Sequence, residues 1–136
     1  MHVDPTRPQF DAFKALPRDA PVEMLNLVRL RERADYADGR QATGAEAYAA
    51  YGRESGPVFR RVGGSIVWRG RPDLVLIGPE EESWHLAFIA RYPSGAAFLE
   101  MVTDPVYREA VKHRQAAVAD SRLIRHAPLE GSGAFG

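Results

Sequence analysis

Cysteine is absent from this chain of 136 residues. Its absence excludes disulfides, thiol nucleophiles, thiolate metal sites and iron–sulfur clusters. Residues 1–5 also lack the basic and apolar regions of a signal peptide. Since a chain without cysteine suits a reducing compartment, we expect a cytoplasmic protein.

Long apolar runs and an excess of one charge are also lacking. The longest apolar runs have about five residues, such as Leu86–Ala90, and are too short to span a bilayer. Lys and Arg number 18 and Asp and Glu number 18, so the formal net charge is zero. A nucleic-acid-binding domain is normally basic, because it neutralises phosphates. We therefore predict neither a membrane nor a nucleic acid as a partner.

Motifs for metals and nucleophiles are missing as well. Histidine occurs only at positions 2, 85, 113 and 126, with no His-x-His or His-Glu-x-x-His spacing. Neither Ser55 nor Ser65 lies in a Gly-x-Ser-x-Gly motif, and Gly63-Gly64 is not followed by the lysine of a phosphate loop. We predict no metal site and no cofactor.

The residues that are present describe one globular domain. Hydrophobic residues make up 45% and charged residues 26%, which are ordinary globular values. We predict a helical extension over 1–21, a domain over 22–127 and a flexible tail over 128–136. Capping and periodicity predict helices after Thr6, from Thr43 to Gly63-Gly64, and after Ser94 and Asp104. Because Pro57 lies inside the second of these helices, we expect a kink or break near Gly52–Gly56. Alternation and turn signals predict strands over Val22–Leu30, Trp84–Tyr92 and Arg122–Ala127, with shorter strand-like runs over Ser65–Arg69 and Asp73–Ile77.

This order of elements is the split β-α-β motif used twice, a ferredoxin-like α+β sandwich with an antiparallel sheet and its helices on one face. In Val22–Leu30, Met24 and Val28 share one face with Asn26, while Leu25 and Leu27 share the other. Both faces are apolar, so both need cover. Because the chain has too little left to cover the second face, we expect a second copy to cover it, in a homodimer.

A family resemblance supports the same fold. It rests on Met24-Leu25-Asn26-Leu27, Gly63-Gly64, Trp84, Arg91-Tyr92-Pro93-Ser94, Ala97-Phe98, Asp104-Pro105-Val106-Tyr107, Arg114 and Asp120-Ser121-Arg122-Leu123. Over residues 22–127 the chain resembles the domain-of-unknown-function 1330 family of the dimeric α+β barrel superfamily. The resemblance implies a homodimer whose two sheets form a shared barrel, and it implies no activity. More distant relatives include cofactor-free oxygenases, lactone isomerases and haem-binding peroxidases, but a shared fold does not transfer chemistry.

Two candidate site residues lie on the strand predicted over Trp84–Tyr92. His85 and Arg91 have even spacing and so share one face. His85 is the candidate catalytic residue, a proton carrier, or else a hydrogen-bonded structural histidine. Arg91 is a candidate anchor for an anionic ligand group, or else half of a structural ion pair, for example with Glu23 or Asp104. We predict that this face lines an elongated cavity with His85 and Arg91 at its ends.

Two further candidates for ligand binding are polar residues on apolar elements. Asn26 lies in the middle of a strand, where its amide would orient a ligand carbonyl or hold a neighbouring loop. Tyr51 lies on the inner stripe of a helix and would line a pocket or belong to the core or the dimer interface. His113 is expected on a solvated helix face.

Three functions are consistent with these features. The chain is a cofactor-free acid–base enzyme acting on a small metabolite, a non-catalytic small-molecule-binding module, or a dimeric interaction module. A closed polar pocket with His85 pointing inward would favour the enzyme. An apolar pocket with His85 in solvent would favour the other two.

Overall fold

A computed structural model describes residues 1–131 and 133–135 and contains the predicted ferredoxin-like arrangement. Its elements are α1 (Arg7–Ala15), β1 (Val22–Leu30), α2 (Gly44–Arg61), β2 (Ser65–Gly70), β3 (Leu86–Tyr92), α3 (Gly95–Thr103), α4 (Pro105–Ala117) and β4 (Val118–His126). The strands form an antiparallel sheet in the order β2-β3-β1-β4. The α+β fold class is therefore confirmed.

The strand register determines which side chains meet the helices. Met24 pairs with Ala90 and Asn26 with Phe88, so the even-numbered residues of β1 and β3 share one face. The buried residues of that face pack with helix residues in the main core, which comprises Val22, Met24, Val58, Val62, Ala90, Tyr92, Ala97, Phe98 and Met101. The helices thus cover this face alone.

The middle of the opposite face of the sheet is apolar, and no helix of the described residues covers it. It carries Leu25 and Leu27 of β1, Ile89 of β3, Trp68 of β2 and Ile124 of β4. Trp68 and Ile124 are about half exposed, at 51% and 45%. We refer to these five side chains as the open face.

Helix starts follow the sequence signals closely. Thr6 and Thr43 both form complete capping boxes, and the Asp104 carboxylate accepts hydrogen bonds from the first turn of α4. The predicted break near Gly52–Gly56 is wrong, because α2 runs through Pro57. A single proline removes one helical hydrogen bond, and buried residues on both sides of it, Ala47 and Val58, anchor the two halves of the helix.

The connection between β2 and β3 is longer than predicted. Residues 71–85 form no strand, so the strand-like run Asp73–Ile77 is a wrong prediction, and β3 begins at Leu86 rather than at Trp84. Alternation alone makes a strand only where a partner strand accepts its hydrogen bonds. Leu74, Leu76 and Ile77 instead expose 75%, 84% and 93% of their surface.

The N-terminal segment runs along β4 and α4. The backbone N–H of His2 donates to Asp120 at 2.9 Å, and Arg114 donates to the Val3 carbonyl. Phe13 of α1 packs against Phe98, with ring centroids 4.8 Å apart. The segment is therefore attached to the domain at its start and at Phe13, while most of its residues remain exposed.

Two observations concern the ends of the chain and its hydropathy. Of the predicted tail 128–136, residues 132 and 136 lie outside the described residues, and the described remainder contains neither a helix nor a strand. No helix within the described residues combines the length and the hydropathy that crossing a membrane requires.

Candidate functional site

A cavity of about 1220 Å³ lies between the sheet and the helices. Met24, Asn26 and Phe88 contribute to its floor on the sheet, and Tyr51 of α2 and Tyr107 of α4 contribute to its roof. The N-terminal segment lies along its margin. Binding sites for small molecules usually measure roughly 300–1,000 Å³, so this cavity has room for one.

The walls of the cavity are rich in aromatic rings. Tyr51 lies beside Tyr48 and Tyr107, with ring centroids 5.5 Å and 6.0 Å away. Phe59 meets Tyr92 edge to face at 5.5 Å. Such rings offer flat apolar surface with few polar atoms, which suits a ligand with an aromatic or other apolar body.

One pair of hydroxyl groups faces this space. The hydroxyl oxygens of Tyr51 and Tyr107 lie 2.8 Å apart and share a hydrogen bond. Burial raises the pKa of both phenols and also that of Tyr48 and Tyr92. These hydroxyls consequently stay protonated at neutral pH. Within the Tyr51–Tyr107 pair one proton lies in the shared hydrogen bond, so the other hydroxyl is able to donate to a ligand oxygen.

Arginine is another polar contributor to the lining. Arg114 of α4 donates to the Val3 carbonyl and, at 3.2 Å, to the Ser121 hydroxyl. Its positive charge opposes the effect of burial on the pKa of Tyr51 and Tyr107. Arg114, Tyr51 and Tyr107 all line the same cavity.

His85 lies outside this cavity. It precedes β3 in an exposed position, and its Nδ1 accepts a hydrogen bond from the Leu30 N–H at 2.9 Å. The backbone N–H of His85 donates to the Val28 carbonyl at 2.8 Å. His85 therefore holds the end of β1, which matches the alternative of a hydrogen-bonded structural histidine. It lies beside a shallow depression that Arg71 and Thr43 also line.

Arg91 also lies away from the cavity. It pairs with Glu23 across β3 and β1, with Nη1 3.3 Å from Oε1, and its side chain is 45% exposed. This is one of the ion pairs weighed from the sequence. The prediction that His85 and Arg91 mark the ends of one cavity is wrong, because odd-numbered residues of β3 face away from the helices.

Asn26 and Tyr51, by contrast, are brought together in the cavity lining. Asn26 lies on the helix-covered face, and its side-chain N–H donates to the Met24 carbonyl at 3.1 Å. Tyr51 holds the hydroxyl pair described above. The structure thus assembles two of the four predicted site residues around one space, which leaves their ligand-binding role a prediction.

Sequence reasoning missed the importance of α4. Tyr107 and Arg114 are seven residues apart, which places them on the same helix face, and this spacing was the available signal. The prediction that His113 lies on a solvated face is wrong, because His113 is only 5% exposed. In the described part of the chain, no group of three or more His, Asp or Glu side chains is placed to hold a metal ion.

Comparison with known families and curated proteins gives one match. The family model described as "Domain of unknown function (DUF1330)" matches residues 38–127. No curated protein matches the chain.

Comparison with solved structures gives close and distant similarities. The protein of unknown function RPA0582 from Rhodopseudomonas palustris is 65% identical, with 96% of this chain and 98% of that chain covered and a TM-score of 0.92. The methylated RPA0582 protein is also 65% identical, with 96% of this chain and 97% of that chain covered and a TM-score of 0.94. SnoaB, a cofactor-independent oxygenase from Streptomyces nogalater, is 15% identical over 85% of this chain and 99% of that chain, with a TM-score of 0.55. This last similarity concerns the fold alone.

Proposed function

The chain belongs to the family described as domain of unknown function 1330, and we propose that it binds a small, mainly apolar molecule in the cavity between its sheet and its helices. The observation that carries this proposal is the cavity itself, about 1220 Å³ in volume and lined by aromatic rings. The cavity is partly open to solvent, so a small molecule can enter it. A concave space of this size, lined mainly by apolar and aromatic side chains with a few polar groups, is typical of a small-molecule site.

Binding is favoured over acid–base catalysis by the positions of the titratable residues. His85 binds backbone outside the cavity, and Arg91 is paired with Glu23. The tyrosines in the cavity wall are phenols whose pKa is raised by burial, and the other titratable groups of the lining are arginines and, in the N-terminal segment, His2 and Asp4. Such phenols are better suited to donate hydrogen bonds than to exchange protons near neutral pH.

A cofactor-free acid–base enzyme is the second candidate, and the contact between Tyr51 and Tyr107 favours it. Two hydroxyls 2.8 Å apart are able to pass a proton along their shared hydrogen bond. We expect Tyr51→Phe and Tyr107→Phe to abolish turnover of any substrate identified, while binding persists. Unchanged turnover in both variants would remove this candidate.

We also propose that the chain forms a homodimer through the open face. Leu25, Leu27 and Ile89 form a half-buried apolar strip there, flanked by the more exposed Trp68 and Ile124. Apolar surface of this kind marks interaction sites. A second sheet packed on this face would cover both copies at once. A dimeric protein with a ferredoxin-like fold from Bacteroides fragilis, 13% identical with a TM-score of 0.50, shares the fold.

A cytoplasmic location stays a prediction from the absence of cysteine.

Binding is tested with phenylnaphthylamine, an uncharged probe whose fluorescence rises in apolar surroundings. We expect saturable binding to the native protein. Asn26→Phe adds a ring to the cavity floor and should weaken binding about tenfold or more, since it removes the space that the probe needs. Ile89→Ala, on the open face, is the matched control and should bind as the native protein does. Equal binding by both variants would show that the probe lies elsewhere and would refute the proposal.

A further inference from the structure

We propose that the ligand of this cavity is an amphipathic anion, with an apolar or aromatic body and one acidic group held by Arg114. This inference rests on the proposed binding function and adds the chemical class of the ligand. Three observations carry it: the charges of the lining, the hydrogen bonds of Arg114 and the groups beside it.

The charges of the cavity lining are unequal, although the chain as a whole carries 18 basic and 18 acidic residues. The lining contains Asp4 as its only carboxylate within the described residues, and that carboxylate accepts a hydrogen bond from Gln115 at 3.2 Å. The arginines of the lining are Arg69, Arg108, Arg114, Arg122 and Arg125. The lining is therefore positively charged although the net charge of the chain is zero, which favours an anionic ligand.

Arg114 has hydrogen-bond partners, but no carboxylate of the described residues forms an ion pair with it. Its two contacts, the Val3 carbonyl and the Ser121 hydroxyl, are neutral acceptors. Burial of an arginine favours pairing with a carboxylate, and Arg114 is half-buried. Exposed arginines of this protein form such pairs, as in Arg61 with Asp104 at 2.7 Å and Arg91 with Glu23 at 3.3 Å. A guanidinium has five N–H donors, so Arg114 keeps donors for an acidic group of a ligand.

The surroundings of Arg114 suit such a group. Tyr48, Tyr51 and Tyr107 line the same cavity as Arg114. An acidic group near Arg114 would accept hydrogen bonds from the guanidinium and from a phenol at once. The aromatic walls then receive the apolar body of the ligand.

The other arginines of the lining are poorer candidates. Arg122 is neutralised by Asp120 at 2.9 Å. Arg125 donates to the carbonyls of Phe13 and Pro17 and stacks on the Phe13 ring, so it holds α1 in place. Arg69 and Arg108 are exposed, where water weakens an ion pair. The inference therefore concerns Arg114 alone.

The test compares two fluorescent probes that share their rings and differ in charge: anilinonaphthalene sulfonate, which is an anion, and phenylnaphthylamine, which is neutral. We expect the native protein to bind the sulfonate more tightly. Arg114→Gln should weaken sulfonate binding about tenfold while binding of the neutral probe stays the same, because only the sulfonate uses the charge. Arg114→Lys should keep part of the preference.

Arg53→Gln, an exposed arginine of α2 outside the cavity lining, is the matched control and should bind both probes normally. Equal affinity of the native protein for the two probes would overturn the inference and leave cavity binding intact. An equal loss for both probes in Arg114→Gln would also overturn it, since Arg114 would then act only by holding the N-terminal segment. Failure of both probes to bind the native protein would refute the proposed function itself.

Discussion

The hydroxyl oxygen of Tyr36 lies 2.6 Å from Nδ1 of His113. On its other side, Nε2 of His113 lies 2.6 Å from Oε2 of Glu54. One buried imidazole thus joins α4, α2 and the segment 31–43. The backbone N–H of Asp35 also donates to the Ala116 carbonyl at 2.9 Å, so the segment is fixed to α4 by two kinds of contact.

The first prediction concerns this imidazole. His113→Phe preserves a ring at the position and removes both hydrogen bonds, which leaves the Tyr36 hydroxyl without its partner. We expect the free energy of unfolding to fall by about 1–3 kcal/mol in urea denaturation. Tyr36→Phe should cost less, and the double variant should cost less than the sum of the two single changes. Strict additivity would contradict a direct interaction.

The second prediction concerns the start of α2. A β-carbon built on Gly44 would lie 1.8 Å from the carbonyl oxygen of Arg31, which is backbone and has no rotamer to adopt. Gly44→Ala must therefore displace the helix end or the segment before it, and the Tm should drop sharply. Gly52→Ala in the same helix is the matched control. Its β-carbon would meet open space, so it should stabilise the fold by about 0.5–1 kcal/mol. An unchanged Tm in Gly44→Ala would contradict this close approach.

The third prediction concerns the attachment of α1. Phe13 packs on Phe98 at 4.8 Å and lies 4.5 Å from the guanidinium carbon of Arg125. Phe13→Ala should lower the free energy of unfolding by about 2 kcal/mol, less than for a fully buried phenylalanine because the ring is half-buried. Phe10 is contacted by Lys14 of its own helix, so Phe10→Ala should cost less. Equal costs, measured by urea denaturation, would argue against this packing.

The fold was largely predictable from the sequence because its signals are local. Capping boxes at Thr6 and Thr43 mark two helix starts, and the alternation in β1 assigns Asn26 and Leu25 to opposite faces correctly. The run Asp73–Ile77 has the same kind of alternation without becoming a strand. Whether a partner strand is available is a property of the whole fold, which local patterns do not contain.

The candidate site was only half predictable for a related reason. Even spacing correctly indicates that His85 and Arg91 share a side of the chain, but spacing alone does not say which side meets the helices. Ala90 pairs with Met24 on the face that the helices cover, so the odd-numbered residues of β3 lie on the opposite face. Arg114 and His113 are neighbours in α4, and their different roles depend on which helix and which segment pack against each.

The fourth prediction concerns the homodimer. If a second sheet covers the open face, the native protein should sediment at twice the monomer mass of 15.1 kDa at micromolar concentration. Ile89→Asp places a charge in the middle of that face, and burying it without a partner is costly, so this variant should sediment as a monomer. Val106→Asp puts the same charge on an exposed apolar position of α4, where Val106 is 55% exposed, and should leave the dimer intact. A native protein that sediments only at 15.1 kDa would exclude the dimer, and the apolar strip formed by Leu25, Leu27 and Ile89 would then need another partner.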